Sequence, residues 1–230
     1  MKQPIIIGLA GRAQSGKSSL AAALETIGAQ RRSFAGPLRE LCYKLWPEWG
    51  TITFGANKDH EFAEPFCFSG STLNAMSATL VREVFDGRCS SRGDRDNLFR
   101  RLAEQLAIKG DIISGRDALQ WVGCLFRDHV DADWWINRFE DNLTDSGMVV
   151  VDDMRFANER ACVRARGGIL ALIERHAAVS TAGDHISETS LGTREDYDLL
   201  LFNHGKTRLR FTDEAVMMLV ETILKRGRGR

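Results

Sequence analysis

The sequence predicts an α/β fold in which a doubly wound, mainly parallel sheet is flanked by helices. Short apolar runs recur at 5–7, 148–151 and 169–173, and each is followed by a segment that favours a helix or a ligand-binding loop. Runs that are apolar at every position are typical of parallel strands with both faces buried. The alternation of such strands with helices is the pattern of α/β proteins.

A glycine-rich loop directly follows the first strand. Residues 11–18 read GRAQSGKS and match G-x4-G-K-[ST] at every fixed position, with a helix predicted at 18–27. This is a P-loop, whose backbone N–H groups and helix N-terminus bind phosphate, so the P-loop NTPase fold is predicted. Lys17 should reach the β- and γ-phosphates of ATP, and Ser18 should hold Mg²⁺. The predicted cofactor-binding residues are Gly11, Ala13, Gln14, Ser15, Gly16, Lys17, Ser18 and Ser19.

The other elements follow from apolar spacing and turn residues. Further strands are predicted at 31–35, 148–151, 169–173 and 197–202. Further helices are predicted from Pro37, at 77–85 and 96–106, from a capping box at Ser114 to near His129, from Asp131 or Asp133, at 157–166, and from a cap at Thr212.

The domain prediction is one domain over 1–230. It has an insertion at about 47–110, where glycines interrupt the pattern, and a polar, aperiodic flap at about 176–193, although an ordinary surface loop has the same composition.

The composition is that of a globular protein that binds small ligands. Thirty-one Lys and Arg residues balance 31 Asp and Glu residues, so no nucleic-acid polymer is expected as a partner. The five scattered cysteines, without a C-x-x-C pair, favour free thiols in a reducing compartment. No segment approaches the roughly 20 apolar residues of a membrane span, and the first strand begins without a signal-peptide pattern. We therefore expect a cytoplasmic protein without a membrane partner.

Two aspartates end the strand at 148–151, where a carboxylate can hold Mg²⁺ directly or through water. Asp152 is the first choice for this role and Asp153 is the second. Phosphoryl transfer also requires cations that neutralise donor and acceptor, and arginine does so with planar, bidentate geometry. Three arginines stand at predicted ligand-binding positions, and we expect them to act as catalytic residues together with Lys17 by neutralising phosphate charge. They are Arg127, Arg155 and Arg175.

Several segments together resemble the deoxynucleoside monophosphate kinases of tailed bacteriophages, within the P-loop nucleoside monophosphate kinase superfamily. They are IIIGLAGRAQSGKSSLA, SFAGPLRE, GRDALQWVG with Arg127 and DADWW, VVVDDMRFANE, RGGILALIER, HISETSL and DYDLLLFN. The resemblance implies ATP-dependent phosphorylation of deoxynucleoside monophosphates, in the host cytoplasm for a phage-encoded chain, and it allows a homodimer. It also implies a closing flap that contains His185 and Glu188. The implied substrate-binding residues are Phe34, Ala35, Arg127, Trp134, Asp153, Arg155 and Glu188.

Three features qualify this resemblance. Cys124 and Leu125 stand where the family usually has Thr-Glu, so no base preference is predicted. Aromatic residues at helical spacing usually lie in a core, which is the more frequent place for Trp134. The segment FAGPL also resembles dephospho-coenzyme A kinase, but a hydroxyl acceptor benefits from a carboxylate base near the second strand, and none lies between Glu25 and Glu40. The alternatives are a kinase of that type and a nucleotide-binding switch protein that transfers nothing.

Overall fold

A computed structural model describes residues 4–55, 57–86, 91–143, 147–175, 191–204 and 208–228. The strands are β1 Ile5–Ala10, β2 Ala29–Arg32, β3 Glu61–Phe66, β4 Ile112–Ser114, β5 Met148–Val151, β6 Ile169–Glu174 and β7 Leu199–Phe202. The helices are α1 Lys17–Thr26, α2 Gly36–Leu45, α3 Gly50–Thr53, α4 Gly70–Phe85, α5 Arg92–Lys109, α6 Gly115–His129, α7 Trp134–Asp141, α8 Ala157–Ala165 and α9 Arg208–Arg228. Two 3₁₀ helices, Pro47–Trp49 and Arg194–Asp196, complete the described elements.

The chain divides into two compact units. The first unit contains residues 1–34 and 139–230, and the second contains residues 35–138. The second unit therefore extends beyond the predicted insertion at about 47–110 at both ends. The reason is that α2 and α6 share one hydrophobic core with α4 and α5.

The first unit is built on a five-stranded sheet with the strand order β2-β5-β1-β6-β7. Every neighbouring pair is parallel, which confirms the predicted α/β fold with a mainly parallel sheet. Arg32 of β2 and Gly8 of β1 both pair with Val151, the last residue of β5. The residues that follow β2 and β5 therefore meet at one edge of the sheet. Apolar side chains of the strands, α1 and α9 form the core of this unit; they include Ile7, Leu9, Leu20, Leu24, Val150, Ile173 and Leu219.

The second unit is mostly helical, with an antiparallel pair formed by β3 and β4. Its core contains large aromatic side chains, among them Trp46, Phe54 and Phe126, which are fully buried. Trp134 and Trp135 belong to the same core, with 2% and 7% of their surface exposed. The sequence predicted neither β3 nor β4, because β3 has no alternation of apolar and polar residues and β4 has only three residues.

One predicted helix cap is confirmed and another is wrong. Ser114 caps α6 through a bond from the backbone N–H of Asp117 to Ser114 Oγ, 3.1 Å. The Asp117 carboxylate instead accepts from the backbone N–H of Ile113 at 3.2 Å. Thr212 does not cap the last helix, because α9 begins at Arg208 and Thr212 is a buried residue within it.

Four of the five cysteines lie in the described ranges and are free thiols: Cys42, Cys67, Cys124 and Cys162. Burial raises the pKa of Cys162 to about 12 and also raises the pKa of Cys42. Among the described residues, no helix is both long enough and apolar enough to span a membrane.

Candidate active site

The loop between β1 and α1 has a backbone conformation that requires glycine at two positions. Gly11 has a φ of 146° and Gly16 a φ of 112°, both in the left-handed region that side chains disfavour. Space is also restricted at Gly16. A Cβ atom there would lie 2.9 Å from Asn203 Nδ2 and 3.0 Å from the Phe211 ring. Both fixed glycines of the motif therefore have a structural reason in this chain.

Side chains from two other strands hold the loop in place. Asn203, directly after β7, donates from Nδ2 to the Ser15 carbonyl at 2.8 Å. Arg175, directly after β6, donates from Nη1 to the Gln14 carbonyl at 3.1 Å. The C=O and N–H groups of a trans peptide point in opposite directions. The bond from Asn203 therefore also fixes the direction of the Gly16 N–H, next to the N–H groups that begin α1.

Lys17 is the first residue of α1, and its ammonium lies against the loop. Its Nζ donates to the carbonyls of Gly11 at 2.6 Å and Arg12 at 2.7 Å. An ammonium group next to the N-terminus of a helix favours a bound anion, because both contribute positive charge. The residues at this loop therefore fit the polyphosphate of a nucleoside triphosphate.

Ser18, Asp152 and Arg31 form a hydrogen-bonded group beside the loop. Ser18 Oγ donates to Asp152 Oδ2 at 2.9 Å. Arg31 donates from Nε to Asp152 Oδ1 at 3.1 Å and from Nη2 to Oδ2, so the ion pair is bidentate. The hydrogen bond to Asp152 raises the pKa of Arg31. The hydroxyl and carboxylate oxygens are the donor types that Mg²⁺ prefers, so Ser18 and Asp152 fit the predicted metal site.

Asp153 is turned toward the chain that leaves β2. Its Oδ2 accepts from Ser33 Oγ at 2.5 Å, and its Oδ1 accepts from the backbone N–H of Phe34 at 3.0 Å. Phe34 is buried, with its ring centroid 4.1 Å from that of Phe139. Asp153 therefore positions the segment after β2, whereas Asp152 is the aspartate bonded to Ser18.

A cavity of about 950 Å³ lies on the other side of the loop, at the ends of β1, β6 and β7. Phe202 provides an aromatic surface that is 48% exposed, and the His204 ring lies 6.3 Å from it, nearly parallel. Arg194 donates to Glu174 from Nε at 2.9 Å and from Nη2 at 2.6 Å. Gly11, Arg12 and Arg175 also line the cavity, so it opens directly onto the P-loop.

The remaining predicted site residues belong to several parts of the chain. Arg155 follows β5 by four residues, and its backbone N–H donates to Glu159 at 2.6 Å. Ala35 and Arg127 belong to the second unit, where Arg127 Nη2 lies 3.5 Å from Cys124 Sγ. Trp134 is packed in that unit's core, so the prediction that it faces a deoxynucleotide does not agree with its burial. His185 and Glu188, with 176–190 of the predicted flap, lie outside the described residues.

Sequence reasoning gave no role to three residues that the structure places at the site. They are Arg31, near the end of β2, and Asn203 and Phe202, at the end of β7. The available signal was their position, because the carboxyl ends of parallel strands form the ligand-binding edge of such sheets. The side of the strand on which Arg31 lies depends on a register that the sequence does not reveal.

A parallel sheet with this loop at the end of its central strand places the chain in the class of α/β proteins built on a phosphate-binding P-loop. No protein-family model matches the chain. It is 24% identical over 204 residues to a protein of Acanthamoeba polyphaga mimivirus that is provisionally named a deoxynucleotide monophosphate kinase. That alignment covers 87% of this chain and 89% of the viral protein.

Among solved structures, the crystal structure of TT1252 from Thermus thermophilus matches 96% of this chain and 98% of its own, with 17% identity and a TM-score of 0.38. This likeness is too weak to bear on fold or function.

Proposed function

We propose that this protein transfers the γ-phosphoryl group of ATP to deoxynucleoside 5′-monophosphates and forms the diphosphates. The P-loop geometry supports the donor, because Lys17, the N-terminus of α1 and the Ser18–Asp152 pair suit a triphosphate with Mg²⁺. The name of the mimiviral relative, which aligns over most of both chains, agrees with a nucleotide acceptor.

The observation on which the choice of acceptor rests is that the oxygens of both carboxylates at the end of β5 already accept hydrogen bonds. A hydroxyl acceptor benefits from a carboxylate base that removes its proton. Both oxygens of Asp152 accept hydrogen bonds, from Arg31 and Ser18, and both oxygens of Asp153 accept from Ser33 and Phe34. A monophosphate needs no base because it is already ionised at neutral pH. This edge of the sheet therefore suits a phosphate acceptor better than a hydroxyl.

In the proposed reaction, an oxygen of the acceptor phosphate forms a bond to the γ-phosphorus. The bond from that phosphorus to the bridging oxygen of ADP breaks in line with it. Lys17 neutralises charge on the transferring group, and Arg175 is placed next to the same loop. Bound Mg²⁺ would neutralise further charge on the phosphates. Arg127 and Arg155 are the proposed additional phosphate ligands, and segment 176–193 is the proposed flap that excludes water.

The cavity beside the P-loop is the proposed site for the base of the donor nucleotide. Its volume, about 950 Å³, suffices for a nucleoside, and it adjoins Gly11 and Arg12 of the loop. The exposed ring of Phe202 offers an apolar surface on which a base can stack. A donor held in this position would have its phosphates at Lys17.

The test compares two kinds of acceptor. The protein is incubated with ATP, Mg²⁺ and each of the four deoxynucleoside monophosphates. Separate incubations contain the four deoxynucleosides and dephospho-coenzyme A, and products are identified by liquid chromatography with mass spectrometry. We expect a diphosphate from at least one monophosphate and no phosphorylation of any deoxynucleoside. Phosphorylation of dephospho-coenzyme A or of a deoxynucleoside would identify a hydroxyl kinase. Tight ATP binding without any product would identify a switch protein.

A further inference from the structure

We propose that Arg31 binds the phosphate group of the acceptor and thereby selects monophosphates over nucleosides. This inference rests on the proposed function. It names the residue through which the acceptor site would prefer an anionic ligand. Arg31 is not part of the P-loop, and its role follows from the structure alone.

The guanidinium of Arg31 lies close to the start of α1. Asp152 accepts from both Ser18 and Arg31, so Arg31 lies only two hydrogen bonds from the hydroxyl at the start of α1. An acceptor must approach the γ-phosphate to within about 3–3.5 Å before transfer. Any acceptor that reaches a phosphate held at Lys17 and Ser18 from this side of the sheet meets Arg31.

The Arg31 side chain is held by Asp152 and keeps N–H donors for a ligand. Asp152 is 8% exposed and holds Arg31 with two bonds, so the long side chain is kept in one conformation. These bonds use the Nε–H and one Nη2–H, and leave the second Nη2–H and both Nη1–H groups. Within the described part of the chain, those groups donate to no other residue, and the side chain is 38% exposed. A guanidinium that is anchored at one edge and open at the other can bind a phosphate.

Arg31 also balances the negative charge at the end of β5. Asp152 is neutralised by Arg31, and the Asp153 oxygens are occupied by Ser33 and Phe34. A second anion next to Asp152 would be repelled without Arg31, because like charges at short distance disfavour binding. Arg31 therefore lets a carboxylate for the metal and a phosphate of the acceptor lie side by side.

The experiment measures binding of the acceptor without turnover. Wild type and Arg31→Gln are saturated with Mg²⁺ and the non-hydrolysable ATP analogue AMP-PNP. Calorimetry then gives the Kd of the preferred deoxynucleoside monophosphate and of its deoxynucleoside. We expect Arg31→Gln to weaken monophosphate binding roughly 10- to 100-fold, the range for loss of a charged hydrogen-bonding partner, and to leave deoxynucleoside binding unchanged. Arg31→Lys should restore part of the loss, because it keeps the charge without the planar fork.

Arg32→Gln is the matched control. Arg32 is the next residue of the same strand and points to the opposite face, where it donates to Gln30 Oε1 at 3.1 Å. Its substitution should leave both Kd values unchanged. Thermal unfolding and the Kd of AMP-PNP verify that each variant is folded.

The outcomes separate the two proposals. If wild type forms diphosphates while Arg31→Gln retains the preference for monophosphates, or alters only the Mg²⁺ requirement, the inference about Arg31 is wrong and the proposed function stands. If wild type forms no product with any acceptor, but Arg31→Gln removes the monophosphate preference in binding, the role of Arg31 stands and the proposed function fails. Equal effects of Arg31→Gln and Arg32→Gln would also overturn the inference.

Discussion

At the scale of single residues, a few polar contacts between strand ends define the candidate site. The motif at 11–18 was sufficient to predict that Lys17 and Ser18 belong to the candidate site, because each fixed position of a P-loop has a fixed chemical role. The role of Asp152 was predicted only as the first of two choices. The bond from Ser18 distinguishes it from Asp153, and that bond depends on side-chain orientation at the end of β5.

Lys17→Ala should lower kcat for diphosphate formation about 10²- to 10³-fold, because a charged donor that stabilises the transition state is lost. Steady-state kinetics with a coupled ADP assay measures this change. Lys225→Ala is the control, since that side chain is 79% exposed on α9 and pairs with Glu221 of the same helix at 3.9 Å. Near-normal turnover in the Lys17 variant would contradict the proposed mechanism.

At the scale of elements, most strands and helices of the first unit could be predicted because their sequence signals are local. The second strand was predicted at 31–35, whereas β2 spans Ala29–Arg32. The strand Met148–Val151 agrees with its predicted range, since a continuous apolar run is bounded by Gly147 and two aspartates. The antiparallel pair of β3 and β4 could not be predicted, because its register is irregular and joins segments far apart in the chain. The cap at Thr212 was wrong because α9 begins before the apolar pattern does.

Gly168, in the turn between α8 and β6, gives a test at this scale. A Cβ atom at this residue would lie 2.6 Å from Val163 Cγ1 and 2.8 Å from the Ile6 carbonyl. Gly168→Ala should therefore lower the free energy of unfolding by about 1–3 kcal/mol, the usual cost of overpacking. Chemical denaturation of the two proteins measures the difference.

Gly70→Ala is the matched control for that substitution. Among the described residues other than its chain neighbours and the backbone of its own helix, no atom lies within 4 Å of the position that its Cβ would take, at the start of α4. The variant should be as stable as wild type or more stable by about 0.4–1 kcal/mol, because alanine restricts the unfolded chain. A loss of stability at Gly70 equal to that at Gly168 would show that steric contact is not the cause.

At the scale of the whole molecule, the sequence predicted one P-loop architecture but not the extent of its second unit. The sheet follows from alternating strands and helices, which repeat in the sequence. The range 35–138 depends on which helices share a core, and α2 and α6 carry no local signal that assigns them to it. The functional proposals divide in the same way. The proposed donor site lies in one continuous motif, whereas the proposed acceptor preference rests on contacts of Arg31, Asp152 and Asp153 at the ends of two strands.

The central claim is the proposal that this protein transfers the γ-phosphoryl group of ATP to the phosphate of a deoxynucleoside monophosphate. Time-resolved ³¹P nuclear magnetic resonance of the wild-type protein with ATP, Mg²⁺ and a deoxynucleoside monophosphate tests it directly. The account predicts that the resonances of the ATP γ-phosphate and of the monophosphate fall at equal rates, while diphosphate resonances grow, for at least one of the four bases. With Lys17→Ala this growth should be about 10²- to 10³-fold slower. Growth of inorganic phosphate alone, or an unchanged ATP spectrum with all four monophosphates, would contradict it.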